Sequence, residues 1–338
     1  MALSIMSLYD DVFSFRHLYE SETRARKSKG HKKDVISFEE DLGTNLFDLY
    51  ERLHNRTYRV EGYHHFKIYE PKERNIQSLR YCDRVVQHCL VDFYLGPLLE
   101  RHLIYGNAAC RKNKGTDFAR NLLKRYLSDA SGNGPVYILQ FDIHHYFEEM
   151  NHEVLKKKLQ KLVLDDEMYA FLSGLVDSYN QETGKGLPMG NQTSQCFALY
   201  YLDGLDRLIK EKYRIKGYVR YMDDGVVISN DKALLHSLLC DACKELSKLK
   251  LSFNEKKTHI FPFAQGVTFL GYRFKPESNG SIYLRLAKER KKRLIRHLIK
   301  TKKEISPTSL DSYLVHASKA KEYRLKRYIM SFKATCGE

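Results

Sequence analysis

Three carboxylates stand where they could do chemistry together: Asp142 and the adjacent pair Asp223 and Asp224. The pair lies in Gly217-Tyr-Val-Arg-Tyr-Met-Asp-Asp-Gly-Val-Val-Ile228. Apolar β-formers on both sides predict two short strands joined by a tight turn, with Gly225 easing the bend. Asp142 ends the apolar run of Gln140-Phe-Asp-Ile143, which predicts a buried strand. A bare Asp-Asp turn is ordinarily just solvated. Here the flanking strands and the upstream Asp point to a cation that offsets the repulsion. Phosphoryl transfer at a nucleic-acid 3′ end uses two divalent ions roughly 3.5–4 Å apart on the attacking and leaving oxygens. Carboxylates from two neighbouring strands supply such a clamp. Asp142 and Asp223 are expected to bridge the ions, Asp224 to bind less directly. Mg²⁺ suits hard oxygen ligands.

The elements that must position these groups follow from periodicity. Residues 1–23 carry a short helical pattern. Arg24 to Lys33 holds six basic residues in ten, which reads as a flexible linker or an arm that meets phosphates. Ser37-Phe-Glu-Glu40 predicts a capping box opening a helix to about Leu53, with Phe38, Leu42, Leu46, Leu49 and Leu53 on one stripe. Alternation over Tyr63–Tyr69 and Ile76–Tyr81 predicts a hairpin. Helices are expected from Asp83 to about Arg101, interrupted or restarted at Pro97, and from Asp117 to about Leu127. Others are expected over Asn151–Leu162, Asp166–Tyr179, Asn191 to about Lys212, and 232–250. Strands are expected over Val136–Ile143 and near 251–253, 258–261, 267–274 and 281–285. From 136 to 261 the order is strand, helices, two strands, helix, strand. That is a split βαβ pattern, in which the Asp142 strand can end beside the Asp223-Asp224 turn.

Tyr-Met-Asp-Asp in a hairpin, with this upstream Asp and this order of elements, resembles the reverse transcriptases of bacterial group II introns and retroelements, from about Tyr63 to Phe274. The resemblance implies an α+β right-hand polymerase. A helical, basic extension would span 1–62 and fingers 63–135. A split-βαβ (ferredoxin-like) palm would span 136–275, with inserted finger helices at about 150–185, and a helical, basic thumb 276–338. It implies Asp142, Asp223 and Asp224 as catalytic residues. Asp142, Ile143, Asp223 and Asp224 would be metal positions for two Mg²⁺, with Mn²⁺ as an in vitro substitute. Glu70-Pro-Lys-Glu-Arg-Asn-Ile76 resembles the fingers motif whose arginine, here Arg74, contacts the incoming triphosphate, a role suited to a guanidinium fork. Phe147 matches the aromatic under the deoxyribose that excludes a 2′-hydroxyl. Leu251-Ser-Phe-Asn-Glu-Lys-Lys-Thr258 resembles the motif whose lysine, here Lys257, lies near the triphosphate. Asp83-Arg-Val-Val-Gln87 resembles a structural helix of the fingers. Leu270, Gly271 and Tyr272 match the primer-grip turn that supports the growing 3′ end.

Gly186-Leu-Pro-Met-Gly-Asn-Gln-Thr-Ser-Gln195 narrows the resemblance. Most relatives have Gln-Gly-x-x-x-Ser-Pro there. Met189 in place of Gln and Gln195 in place of Pro form the pattern of diversity-generating retroelement reverse transcriptases, and Asn107–Thr116 is also similar to that group. This implies copying of a template-repeat RNA into cDNA, errors mainly opposite adenines, and diversification of a target gene by mutagenic retrohoming. It also implies a small basic helical partner, the accessory variability determinant. Met189 gives only a soft apolar contact where Gln would hydrogen-bond the nucleotide, so Met189 and Gln195 are the expected fidelity positions. Gly190 lets the backbone approach the nucleotide closely.

Lys and Arg exceed Asp and Glu by 57 to 42, a formal charge of +15, which points to a polyanionic partner. Arg285 to Lys303 holds ten Lys or Arg and one Glu, with Leu294, Ile295, Leu298 and Ile299 on an apolar side. Lys291, Lys292 and Arg296, with Arg111 and Lys114, are the expected backbone contacts. Template RNA, cDNA with its primer, and deoxynucleoside triphosphates are the expected ligands. No apolar run is long enough to span a bilayer and no secretory signal opens the chain, so a cytoplasmic location is expected. The seven cysteines are odd in number and scattered, which suits reduced thiols. Cys240-Asp-Ala-Cys243 lies in an amphipathic helical pattern and reads as structural. The alternatives are a phage-defence reverse transcriptase of the abortive-infection type and a non-catalytic RNA-binding scaffold.

Overall fold

The computed structural model describes residues 7–69, 73–179, 183–277, 280–300, 305–320 and 322–335. They form two units, each discontinuous in sequence. One takes Met1–Lys112, Ile143–Leu208 and Ala242–Phe253; the other takes Asn113–Asp142, Ile209–Asp241 and Asn254–Glu338.

The first unit is mostly helical because its apolar positions recur at three and four. Helix Phe15–Arg26 packs on Tyr81–Leu90, burying Leu18 and Ala25 with Val85, Val86 and Cys89. Leu42–His54 adds Leu46, Leu49 and Leu53. Strands β1 (Tyr63–Ile68) and β2 (Arg74–Leu79) form the expected hairpin, registered Tyr63↔Leu79. Several details differ from the sequence expectation. The basic stretch from Arg24 to Lys33 is helical at both ends, with turns over 27–32 between. Arg24 and Arg26 end a helix and pair with Asp92 and Glu39, and the next helix begins at Lys33. Ser37 lies inside helix Lys33–Glu40 rather than at a cap. The chain breaks at Asp41, where Asn45 Nδ2 donates to the Phe38 carbonyl at 2.9 Å. Pro97 begins a segment: a π turn over Val91–Leu95 separates Tyr81–Leu90 from Gly96–His102. The single helix expected from Asn191 is Gln192–Tyr201, then Asp203–Arg207, then a π turn over Leu208–Lys212, because Leu202 leaves helical geometry at ψ 11°. Of 251–253 only Phe253 pairs, in an isolated bridge with Ile143.

The second unit is built on β3 (Tyr137–Phe141), β4 (Gly217–Tyr221), β5 (Asp224–Ser229) and β6 (His259–Pro262). Their order is β4-β5-β3-β6, with every neighbouring pair antiparallel, the order of a split βαβ unit. Ile138, Leu139, Val219, Val226 and Val227 are buried, as runs of β-branched and aliphatic residues require when both faces of a sheet are covered. Helix Thr116–Ser131 covers β4 and β5 with Ala119, Leu122, Leu123 and Leu127. A second antiparallel sheet takes β7 (Val267–Phe269), β8 (Tyr272–Pro276) and β9 (Ile282–Leu286). The run 267–274, expected as one strand, is thus two. Leu270 (φ 48°) and Gly271 (φ 77°) close a two-residue hairpin between them. Helices Lys288–Lys300, Pro307–Lys319 and Tyr323–Thr335 follow. Among the described residues no helix is long and apolar enough to cross a membrane.

Candidate active site at the carboxylate hairpin

Met222 and Asp223 alone join β4 to β5, whose last pair is Tyr221↔Asp224. Met222 sits at φ 56°, a left-handed geometry that costs a residue with a Cβ about 1 kcal/mol or more. Arg220, fully buried, donates Nη1 to the Met222 carbonyl at 2.8 Å and holds the turn in that geometry. Gly225 does not make the bend, contrary to the sequence expectation. It lies within β5, and a Cβ there would fall 2.1 Å from Cζ of Phe141, its partner across the sheet. The Phe141 ring occupies the space that a side chain would need.

Carried one residue past Phe141↔Gly225, the register sets Asp142 opposite Asp224. Side chains directly opposite share a face, so these two carboxyls repel when both are charged. Burial, then the charges of Asp223 and Asp142, push Asp224 up to about 7. Asp142 is 7% exposed, and Lys257 Nζ lies 2.8 Å from its Oδ2. The turn carrying Lys257 is anchored to the residue it serves. Asn254 N donates to the Asp142 carbonyl at 2.8 Å, and Lys257 N donates to the Asn254 carbonyl at 3.0 Å. Asn254 Oδ1 accepts from Lys256 N at 3.2 Å. The bond to Asp142 in turn raises the Lys257 ammonium above its ordinary value.

Whether these groups suit a divalent cation can be judged from their charge and chemistry. The donors are hard oxygens, and the burial and like charges that push Asp224 up to about 7 are what a cation would offset. In kind they fit. Among the described residues, however, no three His, Cys, Asp or Glu side chains are gathered into a ready cage, and the cation that Asp142 meets is Lys257.

The other expected site residues are distributed as follows. In the first unit Arg74 opens β2, but its side chain lies outside the described residues, as do Glu70, Pro71 and Lys72. Phe147 is half-buried in a short helix, Tyr146–Glu149, that the sequence reading missed, and its carbonyl accepts from Leu187 N at 2.8 Å. Met189 and Gly190 (φ 103°) line a cavity of about 180 Å³ with Phe66, Ile76, Gln87 and Asn191. Gln195 is half-buried on helix Gln192–Tyr201. Buried Gln87, Tyr179 and Thr193 form a closed triangle. Gln87 Nε2 donates to Tyr179 Oη at 3.4 Å, Tyr179 Oη and Thr193 Oγ1 lie 3.0 Å apart, and Thr193 Oγ1 donates to Gln87 Oε1 at 2.9 Å. The sequence signal for this triangle was faint: polar residues on otherwise apolar helical faces. Arg111 requires correction. Its side chain is 5% exposed and is bonded to Glu100 and to the carbonyls of Ile104 and Asn107, so it closes its own loop rather than facing a phosphate.

In the second unit Lys114 Nζ lies 5.2 Å over the Phe118 ring. Lys292 and Arg296 are exposed on helix Lys288–Lys300, whereas Lys291 pairs with Glu322 at 2.6 Å. Leu270 and Gly271 form the β7–β8 turn, and Tyr272 is fully buried. The six cysteines among the described residues are free thiols, and Cys336 lies outside them.

Residues 71–274 match the family model described as reverse transcriptase (RNA-dependent DNA polymerase). Protein YkfC of Escherichia coli (strain K12) is 22% identical over 253 residues, with 61% of this chain and 65% of that protein covered. The chain thus spans just under two thirds of the length of that curated relative. Among solved structures, apo telomerase from Candida tropicalis is similar at a TM-score of 0.47 and 13% identity, over 64% of this chain and 47% of that one.

Proposed function

The chain belongs to the reverse transcriptase (RNA-dependent DNA polymerase) family, and from that premise we propose that it copies RNA into DNA at Asp142, Asp223 and Asp224. The supporting observation is the register, which carried one residue past Phe141↔Gly225 sets Asp142 opposite Asp224, in a half-buried cluster crowded with negative charge. In this reading the four-stranded sheet is the palm, the β1–β2 hairpin belongs to the fingers, and the C-terminal helices form the thumb. The carboxylates would hold Mg²⁺, which when bound neutralises charge on the attacking and leaving oxygens. Lys257 and Arg74 would bind the triphosphate, Lys257 exchanging its carboxylate for a phosphate oxygen. Phe147 would present its ring to the sugar and leave no room for a 2′-hydroxyl. Lys114, Lys292 and Arg296 would follow the nucleic-acid backbone. Leu270, Gly271 and Tyr272 would support the primer end.

The finer reading is a diversity-generating retroelement enzyme that works with a small basic helical accessory protein. It rests on Met189 and Gln195 in the Gly186–Gln195 loop. Met189 lines an apolar and amide-bearing cavity beside Gln192, where a glutamine would add a hydrogen bond that penalises misplaced nucleotides.

The test is Mg²⁺-dependent extension of a primed, adenine-containing RNA template, with Asp223→Asn as control and the products sequenced. Deoxynucleotide incorporation that the substitution abolishes, with errors concentrated opposite adenine, is expected. Met189→Gln should lower those errors, and an unchanged spectrum would remove the fidelity role of Met189. Accurate copying by the wild type would leave a polymerase of another lineage, the phage-defence type included. No incorporation, with RNA still bound, would favour an RNA-binding scaffold.

A further inference from the structure

Behind the Leu270-Gly271 turn the second unit carries Arg120, Arg290 and His316, which the function above does not use. Tyr272 is fully buried, and the guanidinium carbons of Arg120 and Arg290 lie 4.4 and 5.3 Å from its ring centre. Arg290 Nη1 donates to the Leu270 carbonyl at 3.3 Å. The Gly271 carbonyl accepts from Ala287 N at 3.0 Å. A Cβ on Gly271 would fall 2.7 Å from Arg290 Nη1, so the arginine passes directly against the turn. His316, on helix Pro307–Lys319, touches both partners: Nε2 lies 3.0 Å from Arg290 Nη2, and Nδ1 lies 2.9 Å from Tyr272 Oη.

These contacts fix the tautomer. Arginine can only donate, so Nε2 must accept; the imidazole is then neutral and donates its Nδ1 proton to Tyr272. We infer that His316 is a positioning residue, which fastens the Leu270-Gly271 turn through Arg290 and so sets the primer 3′ end that this turn supports. The primer clause rests on the polymerase reading; the fastening does not. The groups facing His316 are Arg290 from helix Lys288–Lys300, Arg120 and Asp117 from helix Thr116–Ser131, Tyr272 from β8, and Lys319 on its own helix. Asp117 is already engaged by Arg120 and Lys319. Burial and the surrounding cations hold the imidazole below its ordinary value near 6.5. A proton gained on Nε2 would face the Arg290 guanidinium donor to donor. The fastening is therefore present when His316 is neutral and lost as pH falls through its titration.

Two substitutions test this. His316→Ala removes both bonds. His316→Gln keeps one donor and one acceptor on a neutral group. In amide hydrogen exchange, His316→Ala should speed exchange over 270–287 about tenfold and leave the hairpin 217–229 unchanged. Unchanged exchange over 270–287 in a folded variant would overturn the fastening. In primer extension, His316→Ala should raise the primer KM about tenfold, with the nucleotide KM and kcat near wild type. His316→Gln should restore the primer KM at about pH 8. It should also abolish the loss of primer affinity expected of the wild type as pH falls through the His316 titration. Faster exchange with a normal primer KM, or the same pH dependence in His316→Gln, would overturn the positioning role. If the wild type extends no primer, the polymerase reading fails by itself, and the exchange measurement still decides whether His316 fastens the turn.

Discussion

Asp224 shows how a fold sets the charge of one residue. Its carboxyl titrates near 7 rather than at its ordinary 3.8 because burial and two like charges oppose ionisation. The folded chain therefore holds this proton more tightly than the unfolded chain does. Without metal, the fold should gain stability as pH drops from about 8 to 5 and lose it as pH rises through 7. Asp224→Asn should flatten that dependence and raise the thermal midpoint at about pH 8. Mg²⁺ should raise the wild-type midpoint at the same pH, and Asp223→Asn should blunt the gain. Thermal unfolding at two pH values, with and without Mg²⁺, checks all three expectations. At this scale the sequence named the carboxylates from type and spacing, and Lys257 from the family resemblance. It placed Asp142 beside the Asp223-Asp224 turn but not opposite Asp224 in particular, because pairing follows register. It also assigned Arg111 to nucleic acid, since a basic loop residue reads the same whether its guanidinium turns inward or outward.

At the scale of elements, the hairpin depends on a contact between strands. Gly225→Ala would drive a methyl into the Phe141 ring and should cost about 1–3 kcal/mol as overpacking. Phe141→Leu in the same chain should recover part of that loss in denaturant unfolding, because the two positions face each other. A purely conformational role for Gly225 would show no such recovery. The Gln87–Tyr179–Thr193 triangle ties helices Tyr81–Leu90 and Gln192–Tyr201 together beside Met189. Thr193→Val keeps the volume but leaves the Gln87 carbonyl without its hydroxyl donor. It should cost about 1–3 kcal/mol, read from the same unfolding curves. The element types were largely legible, since amphipathic stripes and apolar strands survive in any context. Breaks were not. The interruptions at Asp41, Leu202 and the π turn over Val91–Leu95 lie in sequence that carries a continuous helical period.

The whole molecule carries an excess of fifteen positive charges, and nucleic-acid affinity should fall steeply with salt. Lys292→Ala and Arg296→Ala, both on the exposed side of helix Lys288–Lys300, should each weaken binding and reduce the log–log salt slope by about 1. Arg111→Ala should leave the slope unchanged and lower stability instead, because its guanidinium is engaged inside the protein. Fluorescence anisotropy of a labelled primed template across a salt series separates the two cases.

By itself the sequence determined the strand–helix order of the four-stranded sheet, the positions of the three carboxylates and the basic character, because these depend on residue type, period and charge. Only the tertiary structure decided that Asp142 stands opposite Asp224, that Gly225 makes room for Phe141, and that His316 reaches Arg290 and Tyr272. Each of these joins residues far apart in the chain. Sheet register and side-chain packing fix such contacts, and no local pattern encodes them.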